Sequence, residues 1–195
     1  MKISYATLDF VQAGRATVRF HGRRMLDYQR IDAHSYGVAQ LVRFIVGEDV
    51  EAERMARLLQ AALDHDIAEW IAGDIPGPTK RILGPEWRQQ FNDYEDTLVR
   101  PYHLEHALDA ADTRVLKLAD AAEGCLHCIE ERLMGNQSIV TVFHEFWKYC
   151  TEEQKLWLPG WAPGGNALDT FHEPGEEVLS RYIERAWTSA NGGKW

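Results

Sequence analysis

Apolar residues recur every three to four positions through most of this chain, and no run alternates apolar with polar as a half-buried strand would. HSYGVAQLVRFIVG (34–47) sets Val38, Leu41, Val42 and Ile45 on one face. EAERMARLLQAALDHDIAEWIAG (51–73) does the same with Met55, Leu58, Leu59 and Ala62, and acids open it as a helix dipole favours. PEWRQQFNDYEDTLV (85–99) begins with Pro85 at a first helical position. DTRVLKLADAAEGCLHCIEERLMG (112–135) stops at Gly135, QSIVTVFHEFWKYC (137–150) is strongly apolar, and EEVLSRYIERAWTSA (176–190) makes a last amphipathic helix. LWLPGWAPGGNALDTFHEPG (156–175) reads as an ordered loop with Trp157 and Trp161 packed on the body, and NGGKW as a mobile tail. Neither a repeat nor a linker divides the sequence. The expectation is one all-α domain over residues 1–195, a compact helical bundle.

A chain of 195 residues can bury a sizeable core. The formal net charge of −9 argues against a nucleic-acid polymer as partner, but a small anionic substrate is compatible if basic residues gather locally. No stretch approaches the roughly 20 apolar residues of a membrane helix, and MKISYATLDFVQAG lacks the pattern of a signal peptide. A cytoplasmic protein without membrane contact is expected, and reduced thiols at Cys125, Cys128 and Cys150 suit that setting. The pair Cys125-x-x-Cys128 falls inside a helix. It is either two small buried residues one turn apart, the commoner outcome, or a redox or zinc pair.

LDHDIAEWIAGDIPGPTK (63–80) holds the chemistry. His65 and Asp66 are adjacent, and Glu69 follows His65 by one helical turn. Upstream, His34 begins a helix; downstream, Asp120 lies among Leu116, Leu118, Ala119, Ala121 and Ala122, where an unpaired carboxylate is costly. Taken singly, each has a plainer explanation as a helix-start polar group or a solvated acid. Together, two imidazoles and two carboxylates from three helices can converge on one divalent cation, a donor set suited to Mn, Fe, Co, Ni or Zn.

The order His34, His65-Asp66, Asp120 resembles the HD-domain metal-dependent phosphohydrolases, and more closely the small 5′-deoxynucleotidase family typified by the bacterial YfbR protein. Arg19-Phe20 stands fifteen residues before His34, where that family has Arg-Trp. His65-Asp66-x-x-Glu69 followed by Gly73-Asp74-x-Pro76-x-Pro78-x-Lys80 resembles its HDxxExxxGDxPxPxK. Lys117-x-Ala119-Asp120 resembles its KxAD, and MGN (134–136) its GN after the same helix. The resemblance covers residues 15–150. It does not extend to the C-terminal loop and helix (151–190), and the stretch between Lys80 and Asp120 is shorter than in the bacterial enzymes.

The resemblance implies an HD-type fold and one or more divalent ions (Co, Mn, Zn or Mg), with His34, His65, Asp66 and Asp120 as metal ligands. It implies that Glu69 orients or deprotonates a water, or protonates the leaving oxygen, and that Asp74 contacts the deoxyribose 3′-hydroxyl or takes part in proton transfer. Arg19, Lys80 and Lys117 become candidates for phosphate, Phe20 for base stacking, and Pro76, Pro78 and Thr79 with Ile75 for the wall around base and sugar. VRFHGRR (18–24) adds His21, Arg23 and Arg24, a basic cluster on an acidic protein that suits a longer phosphate tail. Small HD proteins similar to this one, from bacteriophages whose genomes replace adenine with 2-aminoadenine, are dATP triphosphohydrolases. That makes release of triphosphate from dATP the first expectation. Removal of phosphate from deoxynucleoside monophosphates is the alternative, and an inert nucleotide-binding HD protein the reading of another class. Relatives also imply a homo-oligomer, dimer or hexamer, and a phage-encoded protein would work in the host cytoplasm.

Overall fold

The computed structural model describes residues 15–76, 79, 82, 84–100, 106–156 and 173–193. The loop carrying Trp157 and Trp161, together with Pro78, Lys80 and the tail beyond Gly193, lies outside the described residues. Among the described residues the fold is all-α, with a single isolated bridge between Val18 and Arg30.

Helix α1 (Ile31–Val46) starts earlier than the periodicity suggests, because the buried Ile31 anchors its first turn and the His34 N–H donates to Arg30 O at 3.0 Å. His34 therefore sits within the first turn. The expected continuous helix over 51–73 is broken. Helix α2 (Ala52–Asp64) ends just before His65, and α3 (Glu69–Ala72) follows after a tight turn. In that turn the Ile67 N–H donates to Asp64 O at 3.1 Å and the Glu69 N–H to Asp66 O at 3.0 Å. These three-residue bonds wind the backbone tighter than an α-helix. Neighbours in a regular helix diverge by about 100°; the turn instead lets His65 and Asp66 face one centre.

Helix α4 (Gly84–Val99) and the long helix α5 (Ala110–Leu133) come next. Asp109 caps α5 by accepting from the Asp112 N–H at 2.8 Å. The apolar segment expected as one helix over 137–150 is three pieces: a 3₁₀ turn (Gln137–Ile139), α6 (Val140–Lys148) and a π-turn (Tyr149–Glu153). Helix α7 (Glu176–Ala190) has the expected bounds.

Helix α5 is the central element, packed by α1, α6 and α7, while α2 lies across α1. Its apolar residues, including Val115, Leu118, Ala122, Cys125 and Ile129, meet Val38, Val42 and Ile45 of α1 and Leu58 of α2 in one buried cluster. Phe143 of α6 stacks on Trp187 of α7 with ring centroids 3.6 Å apart, closing the far side. Polar clamps hold the end of α7. Arg114 forms a fork onto the fully buried Glu176 at 2.8 and 2.9 Å, and Arg54 bridges Asp112 and Glu173 at 2.7 and 2.6 Å. Cys125, Cys128 and Cys150 are all buried and free, so the CxxC pair serves as small core residues. No helix of the described residues is long and apolar enough to cross a membrane.

Candidate active site

The α1 first turn, the α2–α3 turn and the middle of α5 meet at one end of the core. There His34 Nε2 lies 3.2 Å from His65 Nε2, and Asp66 Oδ2 lies 3.4 Å from each of them. Asp120 Oδ1 adds a fourth donor, 3.1 Å from His34 Nε2 and 4.0 Å from His65 Nε2. The turn that ends α2 and the α5 face one turn before Glu123 thus bring together the four residues singled out in sequence.

The surroundings decide what these atoms need. His65 Nδ1 donates to Ala62 O at 2.9 Å, and His34 Nδ1 faces Glu123 Oε2 at 2.5 Å. Those partners accept, so both neutral rings carry their proton on Nδ1 and turn bare Nε2 lone pairs toward each other. Asp120 Oδ1 is buried without a hydrogen bond. Four electron-rich atoms around one point require a cation. Donors about 2.0–2.1 Å from a shared tetrahedral ion stand roughly 3.3–3.4 Å apart, and the measured His34–His65–Asp66 triangle of 3.2, 3.4 and 3.4 Å fits that spacing. The residues therefore fit a divalent cation. Without one, a proton takes its place. Burial and Arg19 press the His34 pKa down, but Asp120, Glu123 and Asp66 outweigh them and raise it to about 9. Burial likewise works against ionised Asp120, yet His34, His65 and Arg19 hold its pKa well below the usual carboxylate range.

A cavity of about 520 Å³ opens from this centre, within the range of small-molecule sites. Asp66, Asp120, Glu69 and Arg19 line it beside the four donors; Phe20, Ile75, Pro76, Val142 and Phe146 supply apolar wall; Arg23, Thr79, Glu145 and Tyr149 also line it. Glu69 is buried, at the start of α3. Gly73, at φ 76°, ends α3 and sends the chain toward Asp74.

Arg19 is nearly enclosed. Its guanidinium donates to Gln29 Oε1 at 2.9 Å and lies 3.9, 3.7 and 3.6 Å from the carboxylates of Asp66, Asp120 and Glu123. Phe20 adopts φ 61°, unusual for a residue with a side chain, and its backbone N–H donates to Asp74 Oδ2 at 3.0 Å. That bond ties the loop after α3 to the loop before α1. The Phe20 ring stacks on His127, at 5.4 Å, and meets Phe146 edge-on, so one of its faces is already covered where base stacking was expected.

The remaining expected residues are placed unevenly. His21 is exposed and stands 3.8 Å from Asp74 Oδ2. Lys117 is exposed and does not line the cavity, although it stands one turn before Asp120 on α5. Arg24 is exposed too, and its carbonyl accepts from Asn136 Nδ2 at 2.9 Å. Sequence reading missed Glu123, Gln29 and Gly37. The available signal was spacing: Glu123 follows Asp120, and Gly37 follows His34, by three residues each, which puts each pair on one helix face.

Known proteins resemble this chain in sequence and in fold. The profile of the family described as 5′-deoxynucleotidase YfbR-like matches residues 9–155. A 5′-deoxynucleotidase of Vibrio cholerae serotype O1 is 30% identical over 119 residues, covering 53% of this chain and 58% of its own length. The 5′-deoxynucleotidase YfbR of Escherichia coli O1:K1 is 27% identical over 134 residues, 57% of this chain and 65% of its own. The chain thus spans less than two thirds of these curated relatives. Among solved structures, an HD-domain phosphohydrolase of Listeria innocua superposes with a TM-score of 0.64 at 17% identity, covering 97% of this chain and 99% of its own. The cyanophage S-2L HD phosphohydrolase (DatZ), bound to dA and one catalytic Zn²⁺, also gives 0.64 at 17% identity, over 97% and 98%. At that identity the likeness is one of fold.

Proposed function

This chain belongs to the YfbR-like 5′-deoxynucleotidase family, and from that premise we propose that it is a divalent-metal-dependent phosphohydrolase of 5′-deoxynucleotides. The observation that carries the reading is the His34–His65–Asp66 triangle with Asp120 beside it, whose two carboxylates, Asp66 and Asp120, line an apolar-walled cavity. A divalent cation held by these four residues supplies Lewis acidity toward a phosphoryl oxygen and lowers the pKa of water.

The chain's own groups supply the rest. Glu69, buried beside Asp66 in the cavity lining, is the acid–base residue that takes a proton from the attacking water or returns one to the leaving 5′-oxygen. Arg19 carries positive charge into the carboxylate cluster and faces the phosphate. Asp74, bonded to the Phe20 N–H, holds the loop that carries Arg19 and Phe20; this supports a positioning role more directly than proton transfer. Phe20, Ile75, Pro76 and Phe146 form the apolar wall for sugar and base. Thr79 completes the lining, and Pro78 and Lys80 are its neighbours in sequence.

The first substrate reading is dATP. Water attacks the α-phosphorus, the bond to O5′ breaks, O5′ takes a proton, and deoxyadenosine and triphosphate leave. Arg23 in the cavity lining favours it, because a longer phosphate tail needs a second cation. The second reading breaks the same ester in a deoxynucleoside monophosphate and releases orthophosphate. It is favoured by the names of the curated relatives and by the excess of Asp66, Glu69, Asp74, Asp120 and Glu145 over Arg19 and Arg23 around the cavity. Either activity fits a homo-oligomer, dimer or hexamer, which light scattering on the purified protein resolves.

Incubation of the metal-loaded protein with dATP and with dAMP, followed by chromatography, tests both. Triphosphate from dATP with dAMP intact supports the first reading. Orthophosphate from dAMP with dATP intact replaces it with the second. Inactivity on all four bases with Zn, Co and Mn sinks the enzyme reading in favour of an inert nucleotide-binding protein.

A further inference from the structure

Behind the candidate ligands, outside the cavity lining, α5 sends one carboxylate back toward α1. Glu123 is 8% exposed and both of its oxygens are engaged. Oε2 faces His34 Nδ1 at 2.5 Å, and Oε1 accepts from Gln29 Nε2 at 2.6 Å. The same Gln29 accepts from Arg19 Nη1 at 2.9 Å, and Arg19 Nη1 lies 3.6 Å from Glu123 Oε2. Arg19, Gln29 and Glu123 thus close a ring that meets the His34 imidazole through Glu123 and faces Asp66 and Asp120 through Arg19.

The backbone makes room for this. A Cβ on Gly37 would stand 2.9 Å from Glu123 Cγ and 3.1 Å from its Oε1. Helix α1 therefore has a notch one turn after His34, and the Glu123 side chain occupies it. Burying a carboxylate costs several kcal/mol unless its partners are in place, and nothing in core packing calls for an acid here. The arrangement has a use if the cation centre needs it.

We propose that Glu123 is a positioning residue of the metal centre, acting through His34 and Arg19. This rests on the metal-dependent reading given above. Glu123 holds the His34 proton on Nδ1, so that Nε2 keeps its lone pair for the ion, as carboxylate–histidine pairs do behind other metal sites. Through Gln29 it also draws the Arg19 guanidinium back. Arg19 then stops at 3.9 Å from Asp66 and 3.7 Å from Asp120, too far for the tight fork that would occupy their ligating oxygens.

The test is metal binding, independent of turnover. Zn²⁺ affinity is measured by competition with a chromogenic chelator, and the visible absorption of the Co²⁺ form reports coordination. The wild type, Glu123→Gln, Glu123→Ala and Gln29→Ala are compared, with circular dichroism and melting of each metal-free protein to establish folding. Loss of such an outer partner costs about 10- to 100-fold in metal affinity. Glu123→Gln is expected near the lower figure and Glu123→Ala near the upper, with an altered Co²⁺ band in both. Gln29→Ala, at a half-buried position in a loop, shifts affinity less and in the same direction, and decides the matter should the Glu123 variants not fold. Glu131→Gln, two turns further along α5, loses stability and keeps wild-type affinity. Wild-type affinity and spectrum in folded Glu123→Gln or in Gln29→Ala overturn the inference and leave the metal reading intact. A wild type that binds no Zn²⁺ or Co²⁺ removes the metal reading, and this inference with it.

Discussion

Gly37→Ala sets two effects against each other at a place where geometry gives both magnitudes. In a helix interior the exchange gains about 1 kcal/mol from backbone propensity. The new Cβ, however, would lie 2.9 Å from Glu123 Cγ, whereas carbon atoms rest at about 3.5–4.0 Å. Glu123 must retreat by roughly 0.6 Å or more, and overpacking of this kind costs about 1–3 kcal/mol. The net effect on the metal-free protein is a loss of about 0–2 kcal/mol in urea unfolding. The same retreat stretches the 2.5 Å contact to His34 and the 2.6 Å bond from Gln29 toward the outer limit of hydrogen bonding. Zn²⁺ affinity should fall about tenfold, ~1.4 kcal/mol, the smaller end of the range for a disturbed outer partner. Chelator competition reads this directly. A Gly37→Ala protein that is about 1 kcal/mol more stable and binds Zn²⁺ as the wild type does would refute the reasoning, since helix propensity alone would then account for the change.

Gly124→Ala places a Cβ 2.8 Å from Cε1 and Cζ of Phe146 and should drive that ring into the cavity; steady-state kinetics are expected to show a raised KM, while Zn²⁺ affinity stays unchanged. Lys155 is exposed at φ 54°, so Lys155→Gly should raise stability by about 0.5–1 kcal/mol, the left-handed penalty less the entropy of glycine, as read by melting. Glu131 is fully buried, and burial pushes its pKa up, but bonds from Leu26 N–H, Asn136 Nδ2 and Asp27 N–H outweigh that and hold it below 4.5. Its stabilisation is therefore present above pH 4.5 and lost as pH falls through the depressed value. Glu131→Gln should cost about 1–3 kcal/mol at neutral pH, with a gap to wild type that narrows in acid; a constant gap across a urea series from pH 7 to pH 3 would contradict this. Exhaustive chelation should abolish activity, and returning Zn²⁺ at a hundred times its Kd should add about 2.7 kcal/mol of stability; turnover surviving in metal-free protein would end the metal reading.

Legibility differed by residue. His65, Asp66, Glu69 and Asp74 announced themselves because chemistry and spacing coincide within a dozen positions. Phe20 was legible as an aromatic beside Arg19, but not as a ring already stacked on His127, because His127 lies more than a hundred residues away in sequence. Lys117 looked like a phosphate ligand by its distance from Asp120, and its exposure shows that three residues on a helix do not guarantee one destination. The HD turn was read as continuous helix because its leucines and alanines keep the α-period up to Asp64, and propensity alone carries no record of the tighter bonds at Asp66 and Glu69.

The one-dimensional pattern determined the helical class, the bounds of α7, the apolar stripes that meet on α5 and the choice of His34, His65, Asp66 and Asp120 as candidate donors. These follow from local periodicity and side-chain chemistry, which a sequence states outright. Tertiary structure alone decided that Glu123 stands behind His34, that Gln29 and Gly37 make room and partners for it, and that Arg19 is held short of Asp66 and Asp120. These are distances between segments far apart in the chain. They exist only once burial has pressed α1 against α5 and a buried carboxylate has had to find its partners.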